Sequence, residues 1–252
     1  MSKTAGRTVR RYPYGVDAPP ILAALGGLSA AGVAVSAASF AENRPRRGTI
    51  ALAAGAVGSV VAAGYAYTTL YGKFVAWEHE LDALDLRGSE RMLDMGCGRG
   101  AVLVATARRL TQGGSAVGAD VWTKDQSGNS RETTCANADA EGVADRVEVV
   151  DADLRDLPFD AGEFDLVTAS MAVHNIRDRD GRVQAVREAH RVLKPGGRLR
   201  IADPVSMVRT YASTLRELDV VQISERSLGW RFAYGGLAPI SMLRATKPLP
   251  GS

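Results

Sequence analysis

The sequence predicts an α/β domain with a mostly parallel sheet, preceded by two transmembrane helices. Two observations support this fold class. The first 72 residues contain two long uncharged runs rich in Ala, Gly, Val and Leu, at residues 18–41 and 48–72. From residue 91 onwards, short apolar runs alternate with helical stretches, as in parallel strands joined by crossover helices. We therefore divide the chain into an N-terminal segment, 1–72, and a domain, 73–252.

Composition argues against several classes of function. The net charge of +3 is small and aromatic residues make up 6% of the chain, so we expect no nucleic-acid partner. The only two cysteines, Cys97 and Cys135, are widely spaced and form neither a metal-ligand pattern nor a disulfide framework. We therefore expect no metal site, and Cys97 is interpreted as a small packing residue.

Both uncharged runs reach the roughly 20 apolar residues that a membrane-spanning helix needs. We predict spans at about residues 20–41 and 49–71, joined by a turn in water at Glu42–Gly48. Small residues recur every four positions in both runs, a pattern that lets helix backbones approach closely. These residues are Gly26 and Ala30 in the first run and Ala51, Gly55 and Ser59 in the second.

Charge determines the orientation of this hairpin only weakly, because four basic residues before the first run compete with three arginines in the turn. Two alternatives remain open. The first run could be a signal peptide, with Ser39-Phe40-Ala41 as its cleavage site and Arg10-Arg11 as a twin arginine. The Ala- and Gly-rich helices could also be too weakly apolar to span, and could pack in an oligomer or lie at the interface.

The elements of the domain follow from its apolar periodicity. Seven strands are predicted: Arg91–Met95, Ala116–Asp120, Arg146–Val150, Phe164–Ala169, Gly197–Ala202, Val220–Arg226 and Ile240–Ala245. Three helices are predicted between them: Ala101–Leu110, Asn129–Glu141 and Asp180–Val192. Ligands of open α/β sheets bind at the carboxyl ends of the strands. The loops after the first four strands are therefore expected to hold the site.

The loop after the first predicted strand is rich in glycine and reads LDMGCGRGA, from Leu93 to Ala101. Gly96, Gly98 and Gly100 permit a tight turn and the close approach of a ligand to the backbone. The loop also satisfies the G-x-G-x-x-A pattern of dinucleotide-binding sites. By itself, this motif does not distinguish one nucleotide cofactor from another.

Three acidic residues at the ends of successive strands favour one class of cofactor. Asp94 lies at the mouth of the glycine loop, where it would repel a pyrophosphate and attract a cation. Asp120 ends the second strand, where a carboxylate can accept from ribose hydroxyls. Asp153 follows the third strand, where it can accept from the amine of an adenine. Together they suit a cationic nucleoside better than a dinucleotide.

Five segments, in order, resemble the motifs of class I S-adenosylmethionine (SAM)-dependent methyltransferases. They are LDMGCGRG, GADV (Gly118–Val121), DADLRDLPF, FDLVTASMAVHNI (Phe164–Ile176) and LKPGGRLRIAD (Leu193–Asp203). The resemblance extends over roughly residues 80–250 and is closest to small-molecule enzymes of the ubiquinone/menaquinone type. It implies a Rossmann-like SAM methyltransferase fold, with a seven-stranded sheet whose last strand is antiparallel.

The resemblance also implies which residues bind SAM. The methionine end would lie along Asp94, Gly96, Gly98 and Gly100. The ribose and adenine would be held by Asp120, Val121, Asp153 and Leu154. From the residues alone, the glycines remain open to interpretation as a plain strand-to-helix turn, Asp120 as a helix cap and Asp153 as a turn residue.

His174 is the candidate general base, because it lies in the loop after the fourth strand and has a suitable ordinary pKa. A base is needed only if the acceptor arrives protonated. The alternative is a structural histidine that binds a loop carbonyl, and the neighbouring Asn175 is interpreted as a turn residue.

Two further segments are candidates for the acceptor side. The polar stretch Val121–Ser130 could form a lid, or could be a solvated loop; its candidate contact residues are Trp122, Lys124, Asp125, Gln126 and Asn129. Trp122 could cover the adenine or line an acceptor pocket. The run SLGWRFAYGG, Ser227–Gly236, could wall the pocket or simply connect the last two strands.

The hypothesis that fits best is a membrane-anchored SAM-dependent methyltransferase with a small lipophilic acceptor, such as a quinol, a prenylated aromatic or a lipid. SAM is a cytosolic metabolite, so both termini and the catalytic domain are expected in the cytoplasm. One alternative is an NAD(P)-dependent oxidoreductase of Rossmann type, against which Asp94 argues. The other is a non-catalytic membrane-anchored SAM-binding module.

Overall fold

The computed structural model describes residues 14–111, 113–122, 128–218, 220, 222–249 and 251. Its strands are β1 Arg91–Met95, β2 Ser115–Asp120, β3 Val147–Asp151, β4 Phe164–Ser170, β5 Leu193–Pro204, β6 Gln222–Ser227 and β7 Ile240–Thr246. They form one seven-stranded sheet in the order β3-β2-β1-β4-β5-β7-β6. β7 runs antiparallel to β5 and β6, and the other neighbours are parallel. The predicted α/β fold is confirmed.

Seven α-helices accompany the sheet in the described part of the chain. They are α1 Pro19–Ala41, α2 Pro45–Tyr67, α3 Lys73–Asp82, α4 Ala101–Ala107, α5 Arg131–Ala140, α6 Arg179–Val192 and α7 Val205–Glu217. The predicted helix Ala101–Leu110 ends three residues early, because Arg109 and Leu110 bond carbonyls three residues back and close a turn. α7 was not predicted, although Val208, Tyr211, Ala212 and Leu215 bury one face at helical spacing.

The sheet is covered on both faces. Successive residues of a strand point to opposite faces, so Met92 and Leu93 contribute to two different cores. One core contains α6 and α7, represented by Ala189 and Tyr211. The other contains α3 and α4, including Trp77. The carboxyl ends of the parallel strands remain together at one edge of the sheet.

The N-terminal helices α1 and α2 form a hairpin with a shorter turn than predicted. Only Glu42–Arg44 lies outside the helices, and Asn43 takes a left-handed conformation, with φ of 53°. The second half of the predicted turn is helical because Pro45 occupies the first position of α2. Its missing N–H costs nothing there, since the first amides of a helix have no intrahelical partner.

The two helices of the hairpin cross at glycines. A Cβ atom on Gly32 would lie 2.8 Å from the Cα atom of Gly55, so neither position accepts a larger residue without a shift. The predicted involvement of Gly55 in close packing is confirmed. The prediction for Gly26 and Ala30 was wrong, since both are exposed and a Cβ on Gly26 would meet nothing within 4 Å. Which face of each helix turns towards the other depends on the angle at which the helices cross, and the spacing of small residues in the sequence does not specify that angle.

Both hairpin helices are long and apolar enough to cross a membrane, a test that a signal sequence or a buried core helix also passes. α2 continues through a π-helical turn, Thr68–Gly72, directly into α3. The predicted boundary at residue 73 therefore falls inside one continuous helix and stays a prediction. α3 docks on the sheet through Glu80, which pairs with Arg200 and Arg244.

Candidate active site

A cavity of about 880 Å³ lies at the carboxyl ends of the parallel strands, as the fold class predicts. Residues after β1, β2, β3 and β4 line one part of it. The base of the N-terminal hairpin lines another part. The cavity thus brings together all but one of the predicted site residues: Asp94, Gly96, Gly98, Asp120, Val121, Asp153, Leu154 and His174.

The glycine loop turns sharply between β1 and α4. Gly96 has a φ of 69°, and a Cβ atom there would lie 2.3 Å from the Cβ of Ala172, so the position requires glycine. Gly100, with a φ of 84°, is the N-cap of α4. It is buried behind the loop and is not among the residues that line the cavity.

Asp94 is 2% exposed and is buried beneath the glycine loop, where it binds the start of α4 and the neighbouring strand β4. One carboxylate oxygen accepts from the backbone N–H of Leu103 at 3.0 Å, and the other accepts from the Thr168 hydroxyl at 2.7 Å. Burial raises the pKa of Asp94 to about 7, against the lowering effect of these hydrogen bonds. A cation placed in the cavity would stabilise the ionised form of this carboxyl group.

Asp120 joins the ends of β1 and β2. Its carboxylate accepts from the backbone N–H of Gly98 at 2.8 Å and from that of Trp122 at 2.7 Å. The side chain is buried at the cavity wall, next to Val121, which is 53% exposed. This geometry fixes the carboxylate at the position where the sequence predicts contact with ribose hydroxyls.

Asp153 and Leu154 follow β3. Leu154 is buried, whereas Asp153 is paired with Arg155, whose guanidinium donates to it at 2.6 Å. This hydrogen bond lowers the pKa of Asp153. The pairing was not anticipated, because Arg155 lies only two residues away and its side chain folds back over the turn.

His174 lies in the 3-10 turn Val173–Asn175 after β4 and lines the cavity, where the sequence placed it. Its Nδ1 atom is 2.7 Å from one oxygen of Asp203. The other oxygen accepts from the backbone N–H of His174 at 3.1 Å and from the hydroxyl of Tyr211 at 2.9 Å. A carboxylate only accepts, so Nδ1 carries the proton and Nε2 is the basic nitrogen.

A second polar cluster joins the hairpin to the domain. Asp17, just before α1, accepts from the Lys73 ammonium at 2.7 and 2.9 Å and from the Tyr234 hydroxyl at 2.7 Å. Thr69 also donates to it, at 3.1 Å. The Asp17, Lys73 and Tyr234 side chains all line the cavity. Burial and the Asp17 charge raise the pKa of Tyr234 well above its ordinary value.

The two segments proposed for the acceptor side differ in position. Trp122 donates its indole N–H to Asp151 at 2.5 Å and is not among the cavity-lining residues. Asn129 lines the cavity, and Lys124, Asp125 and Gln126 lie outside the described residues. The tail run both connects β6 to β7 and contributes Tyr234 to the wall, so both interpretations of it hold.

Sequence reasoning missed Asp203, Asp17 and Lys73. Asp203 lies near the end of β5, so the strand-end rule that identified Asp94 and Asp120 would have found it. Asp17 comes directly before the first uncharged run, and Lys73 directly after the second. Their pairing has no local signal, because 56 residues separate them.

Comparison with known proteins agrees with this geometry. Residues 93–201 match the sequence model of a family described as a methyltransferase domain. The nocamycin O-methyltransferase of Saccharothrix syringae is 40% identical over 50% of this chain and 41% of its own length. The ubiquinone/menaquinone biosynthesis C-methyltransferase UbiE of Xylella fastidiosa is 31% identical over 63% of this chain and 59% of its own length. The chain thus spans less than two thirds of either relative.

Among solved structures, a geranyl diphosphate C-methyltransferase from Streptomyces coelicolor has the same fold. The TM-score is 0.56, with 19% identity over 71% of this chain and 81% of that one. That protein was crystallised with Mg²⁺, geranyl diphosphate and S-adenosyl-L-homocysteine. The fold is thus the Rossmann-like fold of SAM-dependent methyltransferases, and residues 93–201 match a methyltransferase domain.

Proposed function

We propose that the chain transfers the methyl group of SAM to a small lipophilic acceptor at a membrane. The observation that carries this proposal is one cavity lined by the glycine loop, by the Asp203-bound His174 and by the base of an apolar hairpin. The same cavity is thus lined by the proposed cofactor-binding loop, a candidate base and an apolar segment. A NAD(P)-dependent oxidoreductase is less consistent with Asp94, buried beside the loop where a pyrophosphate would lie.

The cavity residues fit SAM. Three carboxylates of the cavity wall, on Asp94, Asp120 and Asp153, suit a ligand with two positive charges and a ribose. Gly96 has no room for a side chain because Ala172 packs against it, so the turn of the loop that lines the cavity is fixed. When bound, SAM supplies a methyl group on a sulfonium, which is already activated for displacement.

The role of the chain's own residues is then to orient the acceptor, exclude water and accept a proton. Asp203 holds Nδ1–H of His174 and so presents Nε2 as the acceptor of that proton. With SAM as the methyl donor, Nε2 would take up the proton that the acceptor loses. This arrangement favours an acceptor that arrives protonated, such as a phenol or quinol.

Membrane attachment is supported by the exposure of the hairpin. α1 has 23 residues, and α2 is part of a continuous helix of 38 residues, Pro45–Asp82; only 11% of the apolar window of each of these two helices is buried inside the protein. A core helix of a water-soluble domain would be mostly buried, whereas Val57, Val60 and Leu28 are 64%, 72% and 70% exposed. We place both ends of the hairpin and the catalytic domain on the cytoplasmic side, where SAM is available.

Calorimetric titration of SAM and S-adenosylhomocysteine into the full chain in detergent tests the cofactor. Asp120→Ala is expected to abolish binding, because it removes the carboxylate at the ribose position. The matched control is Asp139→Ala, which alters an exposed acid on α5 away from the cavity. A folded wild-type chain that binds neither ligand contradicts the proposal, and NADH is then the next ligand to titrate.

Incubation of membrane extracts with methyl-labelled SAM and the full chain tests the reaction itself. Label is expected in an organic-extractable small molecule, and less label is expected with His174→Gln. If SAM binds but no extractable molecule is ever labelled, the chain is a SAM-binding module without turnover. This result would separate binding from catalysis.

Orientation is tested on the native Cys135, which is exposed on α5, whereas Cys97 is buried. A membrane-impermeant maleimide is expected to label Cys135 in inverted vesicles and not in intact cells. A cysteine placed at Asn43, in the turn between the helices, should show the opposite pattern in a chain that also carries Cys135→Ser. Labelling of Cys135 in intact cells would contradict the proposed cytoplasmic domain.

A further inference from the structure

An aromatic surface lies where α2 ends and the tail loop meets it. The Tyr67 and Trp230 rings are stacked, with centroids 5.2 Å apart and planes inclined at 26°. Tyr71 lies next to Tyr67 at 5.5 Å, and the Arg231 guanidinium lies 5.1 Å from the Trp230 centroid. We name Tyr67, Tyr71 and Trp230 the aromatic patch.

The tail loop is attached to the helix by backbone contacts and does not simply rest on it. A Cβ atom on Gly72 would lie 1.8 Å from the carbonyl oxygen of Arg231, and one on Gly235 would lie 2.4 Å from that of Val61. Such approaches require glycine at both positions. The patch therefore has a defined position directly after the apolar part of α2.

The patch exposes side chains that water solvates poorly. Trp230 is 68% exposed and Tyr71 41%; Leu70, next to Tyr71, is 55% exposed, and Leu237 of the tail loop is 60% exposed. Trp and Tyr next to an apolar helix are typical of residues that lie at the headgroup level of a bilayer. The Arg231 guanidinium, which lies over the Trp230 ring, can keep its charge in the aqueous part of a headgroup layer.

The same part of the molecule borders the cavity. Leu237, in the tail loop that also carries Trp230, and Ile21 at the start of α1 both line the cavity, and Ile21 is 48% exposed. The cavity thus reaches the surface along an apolar rim built by the hairpin and the tail. Elsewhere the exposed lining residues are polar apart from Val121: they are Arg155, Asn175, Arg177 and Asp178.

We infer that the aromatic patch lies in the headgroup layer of a membrane and holds the apolar rim of the cavity against the lipid. An acceptor with an apolar chain would then enter sideways from the bilayer, with its polar end directed to His174. The polar rim would remain open to the cytosol for SAM. This inference rests on the proposed membrane attachment of the hairpin, and it specifies an amphiphile as the class of acceptor.

The test uses an environment-sensitive fluorophore attached to single cysteines of the full chain in phosphatidylcholine vesicles. Exposed Cys135 is replaced by serine, and buried Cys97 is kept. Labels are placed at Val57 within α2, at Trp230 in the patch, and at Leu249, an equally exposed leucine in the tail. Brominated lipids and aqueous iodide are the two quenchers.

The label at position 230 is expected to shift to the blue on reconstitution and to lose emission with brominated lipid. The label at 249 should be quenched by iodide alone. If the label at 57 is quenched by brominated lipid and that at 230 only by iodide, the inference is overturned while the spanning hairpin stands. If the label at 57 is also quenched only by iodide, the proposed membrane attachment itself fails.

Discussion

The Nδ1 atom of His174 lies 2.7 Å from Oδ1 of Asp203, a carboxylate with no exposed surface. The imidazole is therefore held by a partner that cannot move without disturbing the core. His174 itself is a quarter exposed and faces the cavity. We propose that this pair serves as a fixed proton acceptor beside the predicted cofactor site.

Replacement of the histidine should separate catalysis from cofactor binding. His174→Gln keeps a polar side chain but removes the basic nitrogen, so the rate of methyl transfer should fall by about 10²–10⁴-fold. SAM affinity, measured by calorimetry, should stay unchanged. His79→Gln on α3, an exposed histidine that does not line the cavity, is the matched control. Equal activity in both variants would exclude a base at residue 174.

Addition of a methyl group at Gly96 should block the glycine loop. Gly96→Ala places an alanine at a φ of 69°, which is unfavourable for residues with a side chain. Its Cβ would also lie 2.3 Å from the Cβ of Ala172. Gly142→Ala has nearly the same φ, 68°, with nothing within 4 Å, so it isolates the backbone cost of about 1–2 kcal/mol. We expect a larger loss of stability and of SAM binding for Gly96→Ala. Equal losses of stability in thermal unfolding would show that Ala172 moves away from the added methyl group at no cost in free energy.

The raised pKa of Asp94, about 7, should make SAM binding depend on pH. Below that value the carboxyl group is protonated, and a cationic ligand must displace the proton. Affinity should therefore rise with pH through 7, by at most about tenfold per unit, and level off above it. In Asp94→Asn the calorimetric Kd should vary less over the same range, and a steep pH dependence in this variant would assign the effect to another group.

The raised pKa of Asp94 should also make the free energy of unfolding fall as the pH rises. Because its native pKa lies above the ordinary 3.8, the native state holds a proton between about pH 4 and 7 that the unfolded chain releases. Its contribution to the free energy of unfolding is therefore fully present at low pH and is lost as pH rises through 7. Denaturant titrations of the wild type and Asp94→Asn between pH 5 and 8 measure the difference, and parallel curves would contradict it.

The Asp17–Lys73 pair should hold the hairpin to the domain. Its side chains are 21% and 8% exposed, so each charge left alone is poorly solvated. A double-mutant cycle with Asp17→Asn and Lys73→Met should give a coupling energy above about 1 kcal/mol, the upper range of exposed pairs. The exposed pair Arg187–Glu217 is the matched control. Equal coupling energies would mean that the hairpin is held by its apolar contacts.

Much of the cofactor side was predictable because of a general property of parallel sheets. Asp94 and Asp120 end strands that pair in register, and Asp94 is aligned with Gly118 two residues before Asp120. Once the strands are identified, their carboxyl ends must meet at one edge. The glycine loop and His174 follow from the same order of elements. The helix ends were less predictable, because turns that close a helix depend on local hydrogen bonds.

The acceptor side was less predictable for a physical reason. Asp203 lies 29 residues after His174, and Tyr234 lies 217 residues after Asp17. Nothing in local periodicity indicates that these groups meet. Their contacts depend on how α7 packs on the sheet and how the tail loop docks on α2.

The sequence alone determined the class of fold, the two apolar runs, and the strand-end residues where a cofactor should lie, because periodicity and spacing act within single elements. Only the tertiary structure decided that Asp203 orients His174, that the hairpin crosses at Gly32 and Gly55, and that its base closes the cavity. These relationships arise when distant segments bury their surfaces against each other. The close packing of that interior then selects which side chains touch.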